Sequence, residues 1–284
     1  MVTTIGNPLS WGARAFGKAG QEITAQAQGM GSEAVTVPQV RRIGTEDIRA
    51  ALRAGLDDFA ALRTDVAVMC LLYPIIGVVL VYLAMNQNLA FLIFPLMSGF
   101  ALIGPAVAVG LYEMSKRRAE GKEVTWGDAF GVLSSHSLGA IVVLGLMLAA
   151  VFTLWLLTAW GIWVATMGDV PQGNILDFLG AVLTTSGGWW LMAIGIPVGF
   201  LFALVVLPVA LVSFPLLIDR PVGLPVAVVT SIRVARESPG TVALWGLIVA
   251  VLLVAGSIPL LLGLAIVLPV LGHATWHLYR RAVV

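Results

Sequence analysis

The chain has 284 residues, of which 59% are hydrophobic and 11% charged, and a mean hydropathy of +0.98; soluble proteins carry about a quarter charged residues, so this composition excludes an ordinary soluble domain. A net charge of +1 gives no electrostatic basis for binding nucleic acid. The single cysteine, Cys70, excludes an intramolecular disulfide and any C-x-x-C metal pattern.

Residues 1–20 contain no continuous apolar core and no small-residue cleavage site, so a removable signal peptide is not expected. Residues 1–40 are rich in Gly, Ala, Gln, Ser and Thr without a period. They read as a mobile cytoplasmic tail, with Trp11, Arg14, Phe16 and Lys18 available to touch the membrane surface. Residues 41–284 read as the membrane domain. It opens with Thr45 as a helix cap and Glu46 and Asp47 in the first turn, where the helix dipole favours negative charge. Ile48, Leu52, Leu56 and Phe59 then recur opposite Arg49, Arg53 and Asp57, which predicts an amphipathic helix at the membrane surface or on the bundle.

A helix needs roughly 20 apolar residues to cross about 30 Å of hydrocarbon. Val66–Ala84 and Leu89–Tyr112 meet that length and are joined by the polar turn 85–88. A basic loop, Lys116 to Lys122, follows; within it Thr125 and Asp128 predict a capped short helix with Trp126, Phe130 and Leu133 on one face. The third span is Leu138–Ala165, with Trp155, Trp160 and Trp163 expected as an interfacial aromatic belt. The loop from Thr166 to Gly188 holds Asp169 and Asp177 but no basic residue, and Trp189–Ile218 contains the fourth span. Pro225–Glu237, with Arg233 and Arg236, predicts a third short helix. The remaining apolar stretch divides at Gly256-Ser257-Ile258-Pro259 into Thr241–Ala255 and Ile258–Tyr279. The expected fold is an all-α polytopic bundle of six transmembrane helices with three short amphipathic helices. All sixteen Lys and Arg residues then fall on one side, and basic loops are retained in the cytoplasm, so both termini are expected there.

One unit is expected to recur three times: short amphipathic helix, spanning hairpin, basic end. Pro105 precedes Arg117, Pro208 precedes Arg220 and Pro269 precedes Arg281, each by twelve positions. Twelve helical residues cover about 18 Å, which sets each proline near mid-membrane as a helix kink and each arginine at the inner interface. Gly195 and Gly199 form a small-residue pair suited to close helix contact.

The block Gly104-Pro105 through Lys116-Arg117-Arg118, followed by Glu120-Gly121 and Trp126, resembles the centre of a family of predicted bacterial integral membrane proteins, domain of unknown function 2189. Leu268-Pro269 through His273, Trp276, His277 and Tyr279-Arg280 is similar to its closing block. The resemblance spans about residues 40–284 and implies a bacterial inner-membrane location. It carries no activity and no catalytic residues.

Three histidines are the candidate metal or haem ligands. His273 and His277 lie one turn apart on one helix face, and His136 could approach from another helix. Zinc sites use three or four ligands, so the simpler reading keeps all three at the interface without a metal, and no cofactor is expected. Glu113 is the deepest acid in a span and is expected to pair locally with Lys116 or Arg117. No phosphate loop, nucleophile elbow or H-E-x-x-H motif is present, so an enzyme is not expected. The leading expectation is a non-catalytic membrane protein, an accessory, assembly or lipid-interacting component, with lipids and a larger inner-membrane complex as partners. A transporter or channel for a small apolar or zwitterionic solute, built on the proline-broken helices, is the alternative. A haem- or metal-handling protein is the third.

Overall fold

The computed structural model describes residues 38–86, 89–168, 175–259 and 261–284. The expected tail therefore lies outside the described residues except for positions 38–40, as do Asp169 and two residues of the first polar turn.

The described chain is helical. Its elements are α1 (Thr45–Asn86), a 3-10 turn (Ala90–Leu92), α2 (Ile93–Val107), α3 (Val109–Ala119), a 3-10 helix (Trp126–Ser134), α4 (Leu138–Met167), α5 (Ile175–Thr184), α6 (Ser186–Ala210), α7 (Ser213–Asp219), α8 (Leu224–Glu237), α9 (Pro239–Ser257) and α10 (Leu264–Ala282). An isolated antiparallel bridge joins Val40 to Val283. Three stretches among the described residues are long and apolar enough to cross a membrane: Leu138–Met167, Ser186–Asp219 and Pro239–Ser257.

The expected surface helix and the first span are one continuous element, α1. No Gly or Pro separates Phe59 from Val66, and the Ala, Leu and Arg residues there are good helix formers. The buried stripe of its first half is Ile48, Ala51, Gly55, Asp58 and Leu62. The predicted face was turned from this one, because Leu56 is 51% exposed. The cause is Gly55. A β-carbon there would sit 2.6 Å from the Ala274 backbone nitrogen and 2.8 Å from the Val270 carbonyl oxygen, so α10 runs directly against the α1 backbone. Close approach of this kind is open to glycine alone.

The prolines act unequally. Pro105 cannot donate a hydrogen bond, and α2 gives way to α3 at Ala108, whose N–H bonds Gly104. Pro208 precedes the break between α6 and α7, so the fourth expected span is not one straight helix. There the loosened backbone is satisfied from two sides: Val212 N–H donates to Ser231 Oγ of α8 at 3.2 Å, and Ser213 Oγ donates to the Val209 carbonyl at the end of α6. Pro269 lies inside an unbroken α10. The three expected units are thus not alike in backbone.

Three further expectations are corrected. The stretch from Thr166 to Gly188, expected as a loop, contains α5, whose Leu176, Leu179 and Leu183 are spaced as one helical face and exposed. Trp155 is not in an aromatic belt: it is buried, and its indole N–H donates to Pro95 O at 3.2 Å and Ser98 Oγ at 3.1 Å. Trp163 stacks on Phe91, which leaves Trp160 exposed at that end. Gly195 faces open space while Gly199 meets the Trp155 ring, so the glycine pair is not a helix-helix seam.

Gly55→Val is expected to lower the stability of the detergent-solubilised protein by about 2–3 kcal/mol, because α10 must move off α1. Gly195→Ala, where a β-carbon meets nothing within 4 Å, is expected to stay within about 0.5 kcal/mol. Thermal unfolding of the two variants against the parent checks both.

Candidate functional site

The buried stripe of α1 carries one charge, Asp58, three residues beyond Gly55 and one turn short of Leu62. It meets α3 and α10 at their crossing. Asp58 Oδ2 accepts hydrogen bonds from Ser115 Oγ at 2.7 Å and from His277 Nε2 at 2.8 Å, and Oδ1 pairs with the Arg118 guanidinium. Ser115 and His273 are fully buried, whereas the His277 side chain is 23% exposed. Ser115 Oγ lies 2.7 Å from His273 Nδ1. A hydroxyl has one proton to give; with that proton on Asp58, Ser115 accepts from His273 Nδ1–H, which leaves Nε2 as a bare lone pair. Nε2 finds no hydrogen-bond partner among the described residues.

Burial alone would raise the Asp58 pKa. The hydrogen bonds from His277 and Ser115 outweigh it and hold the carboxyl below its ordinary value of 3.8. Asp58 is thus a carboxylate clamp on three helices, chemically satisfied by the groups around it.

The other expected residues occupy the same end of the bundle in different roles. Glu113 Oε1 accepts from Arg117 Nε at 2.7 Å, and Arg117 also pairs with Asp128. Asp128 in turn caps its 3-10 helix, accepting from the Thr125 N–H at 2.8 Å. Arg281 makes a related contact: its guanidinium lies 3.5 Å from Asp47, which accepts from the Gly44 N–H at 2.9 Å at the start of α1. Arg220 pairs with its sequence neighbour Asp219 at 3.8 Å and also reaches the Val284 carbonyl at 3.3 Å. Asp219, beside it, holds the Tyr279 hydroxyl at 2.6 Å and Arg280 at 2.9 Å.

The structure brings His273 and His277 together around Asp58. It sets His136 in the exposed turn between the 3-10 helix and α4. Among the described residues no group of three or more His, Cys, Asp or Glu is arranged to hold a metal ion. Sequence reasoning missed Asp58, Ser115 and Arg118. The available signal was the spacing Ala51, Gly55, Asp58, which puts two small residues and one acid on a single helix face.

A second feature is a cavity of about 320 Å³ between α2, α6, α9 and α10. Pro105 lies on its wall, as do Leu207 and Leu268, the residues preceding Pro208 and Pro269.

Residues 93–219 match the family model described as Predicted integral membrane protein (DUF2189). The resemblance read from Gly104 to Trp126 is borne out over that segment, and the similar closing block around His273 lies beyond it. No curated protein and no solved structure matches the chain. The match covers Ser115, Arg118 and the two helix breaks, but not Asp58, His273 or His277.

Asp58→Asn is expected to cost about 2–3 kcal/mol at neutral pH, the range for a lost hydrogen bond to a charged group. Partial exposure of Arg118 and His277 keeps it below the ~3–5 kcal/mol of a fully buried pair. Because the folded pKa is depressed, this contribution is complete above about pH 5 and is lost as the pH falls below 3.8. Melting curves of parent and variant should therefore stay separated above about pH 5 and draw together as the pH is lowered through and below 3.8.

Proposed function

We propose that the chain is a non-catalytic multi-pass protein of the bacterial inner membrane, acting as an accessory, assembly or lipid-interacting component of a membrane complex. One contrast carries this reading. The buried acid is committed to joining helices, through Ser115, Arg118 and His277, while apolar side chains outside the spans are left uncovered. Trp126, Phe130 and Leu133 project from the 3-10 helix, a few residues before α4 enters the membrane. Such a surface suits lipid or an apolar partner flank.

The reading has six passes: the second half of α1, α2 with α3, α4, α6 with α7, α9 and α10. Among the described residues, the basic side chains of the loops and the C-terminal end, such as Arg118, Arg220 and Arg281, gather at one end, which supports cytoplasmic termini. Cys70→Ala would give a cysteine-free background. Single cysteines at Lys122 and Glu237 should then be protected from an impermeant thiol reagent in intact cells, and one at Asp177 should be labelled. Labelling of Lys122→Cys from outside would reverse the orientation.

Gentle extraction of the tagged protein from its native membrane, followed by mass spectrometry, tests the accessory role. Stoichiometric co-purification of a multisubunit membrane complex is the expected result. A lone chain would remove that role and favour the alternative, a carrier of a small apolar solute. The cavity beside Pro105 is the observation behind that second reading, and solute uptake by proteoliposomes discriminates it.

A further inference from the structure

The cavity has a form that selects among apolar ligands. Its α9 wall runs from Ala243 to Leu253 and its α6 side from Phe200 to Leu211. Ten helical residues cover about 15 Å, half of the ~30 Å hydrocarbon core. On α9 this stretch is centred on the helix, and on α6 it lies in the half leading to Asp219, so the cavity reaches from mid-span toward the basic end. Its lining carries no charged side chain, and the Thr275 hydroxyl is satisfied within α10 by the Leu271 carbonyl at 2.7 Å. Water needs several polar partners to occupy such a space, and few are offered here.

The cavity opens sideways. α6 and α9 come together at Gly246, where a β-carbon would lie 2.7 Å from Leu207 Cδ2, while Phe200, Leu204 and Leu247 at the rim are exposed. α6 and α9 both belong to the stretches apolar enough to cross a membrane, so the opening faces hydrocarbon. At the basic end α8 packs on both α6 and α9. Its Arg233 and Arg236 are exposed and have no ion pair or hydrogen bond among the described residues.

We propose that this cavity seats one acyl chain of an anionic phospholipid drawn from the leaflet on the basic side, with the phosphate at the level of Arg233 and Arg236. The volume lies at the lower end of the ~300–1,000 Å³ of ligand pockets. An uncharged apolar lining, an exposed apolar rim and unpaired arginines on α8 at the basic end are together the complement of such a lipid. This deepens the lipid-interacting part of the proposed function and rests on the chain being embedded in a bilayer.

The test uses the full-length protein reconstituted in vesicles of phosphatidylcholine and phosphatidylglycerol, re-extracted in mild detergent, washed, and weighed by native mass spectrometry. One retained phospholipid per chain, enriched in phosphatidylglycerol, is expected. Ala250→Phe fills the groove and should reduce retention at least tenfold, whereas Leu146→Phe, on the exposed face of α4, should leave it unchanged. Arg233→Gln with Arg236→Gln should abolish the enrichment in phosphatidylglycerol. Circular dichroism and elution volume certify the fold, and Ala203→Leu replaces Ala250→Phe if the latter does not fold. A parent protein that retains no phospholipid, or equal retention by Ala250→Phe and Leu146→Phe, overturns the proposal. Neither result alters what co-purifies from the native membrane, so the accessory reading stands or falls separately.

Discussion

A carboxylate placed where three helices cross must have its oxygens occupied, or the crossing does not form. Asp58 meets that condition with a hydroxyl, an imidazole and a guanidinium drawn from α3 and α10. The approach is possible because Gly55, one turn earlier, lets the α10 backbone come down onto α1. Each depends on the other. Without the glycine the helices stand apart and the acid is stranded; without the acid, His273, His277 and Ser115 lose the group that orders them. The position of α10, and with it one wall of the cavity, follows from this contact.

The basic end of the bundle is organised by the same chemistry in looser form. Arg117 and Arg281 each reach a carboxylate that is already capping the start of another element, so each arginine joins one return helix to a neighbouring surface element. Such exposed pairs individually contribute little. Their effect is to fix the angle at which the amphipathic elements leave the spans, which a long apolar helix alone does not specify. Where Pro208 loosens the backbone, serines at 213 and 231 close the gap from within and from α8.

Much of this was legible in the residues. Hydropathy located Leu138–Met167 to within a few residues, and Thr125 with Asp128 marked the start of the short helix that follows α3. What sequence did not reveal is tertiary. Leu56 and Asp58 are equally compatible with a buried helix face, and only the passage of α10 over Gly55 chooses between them. Trp155 reads as an interfacial residue until Pro95 and Ser98 are seen to receive its N–H. α5 was hidden by its brevity and by the length of the loop around it. The cavity lies between α6 and α9, which are not consecutive, so no local pattern announces it.

The clamp also has a consequence for how the protein is made. Asp58 and His277 are 219 positions apart, and a chain emerges from the ribosome at ~5–20 residues per second, N-terminal part first. For at least ~10 seconds the first helix must wait in or beside the bilayer with its acid unmatched, while the segments between are inserted. During that interval α1 has no settled neighbour along its Gly55 face. Docking of α10 onto the Gly55 face of α1 is therefore set late by the order of the sequence. The bundle closes late, and it closes by joining an early helix to a late one.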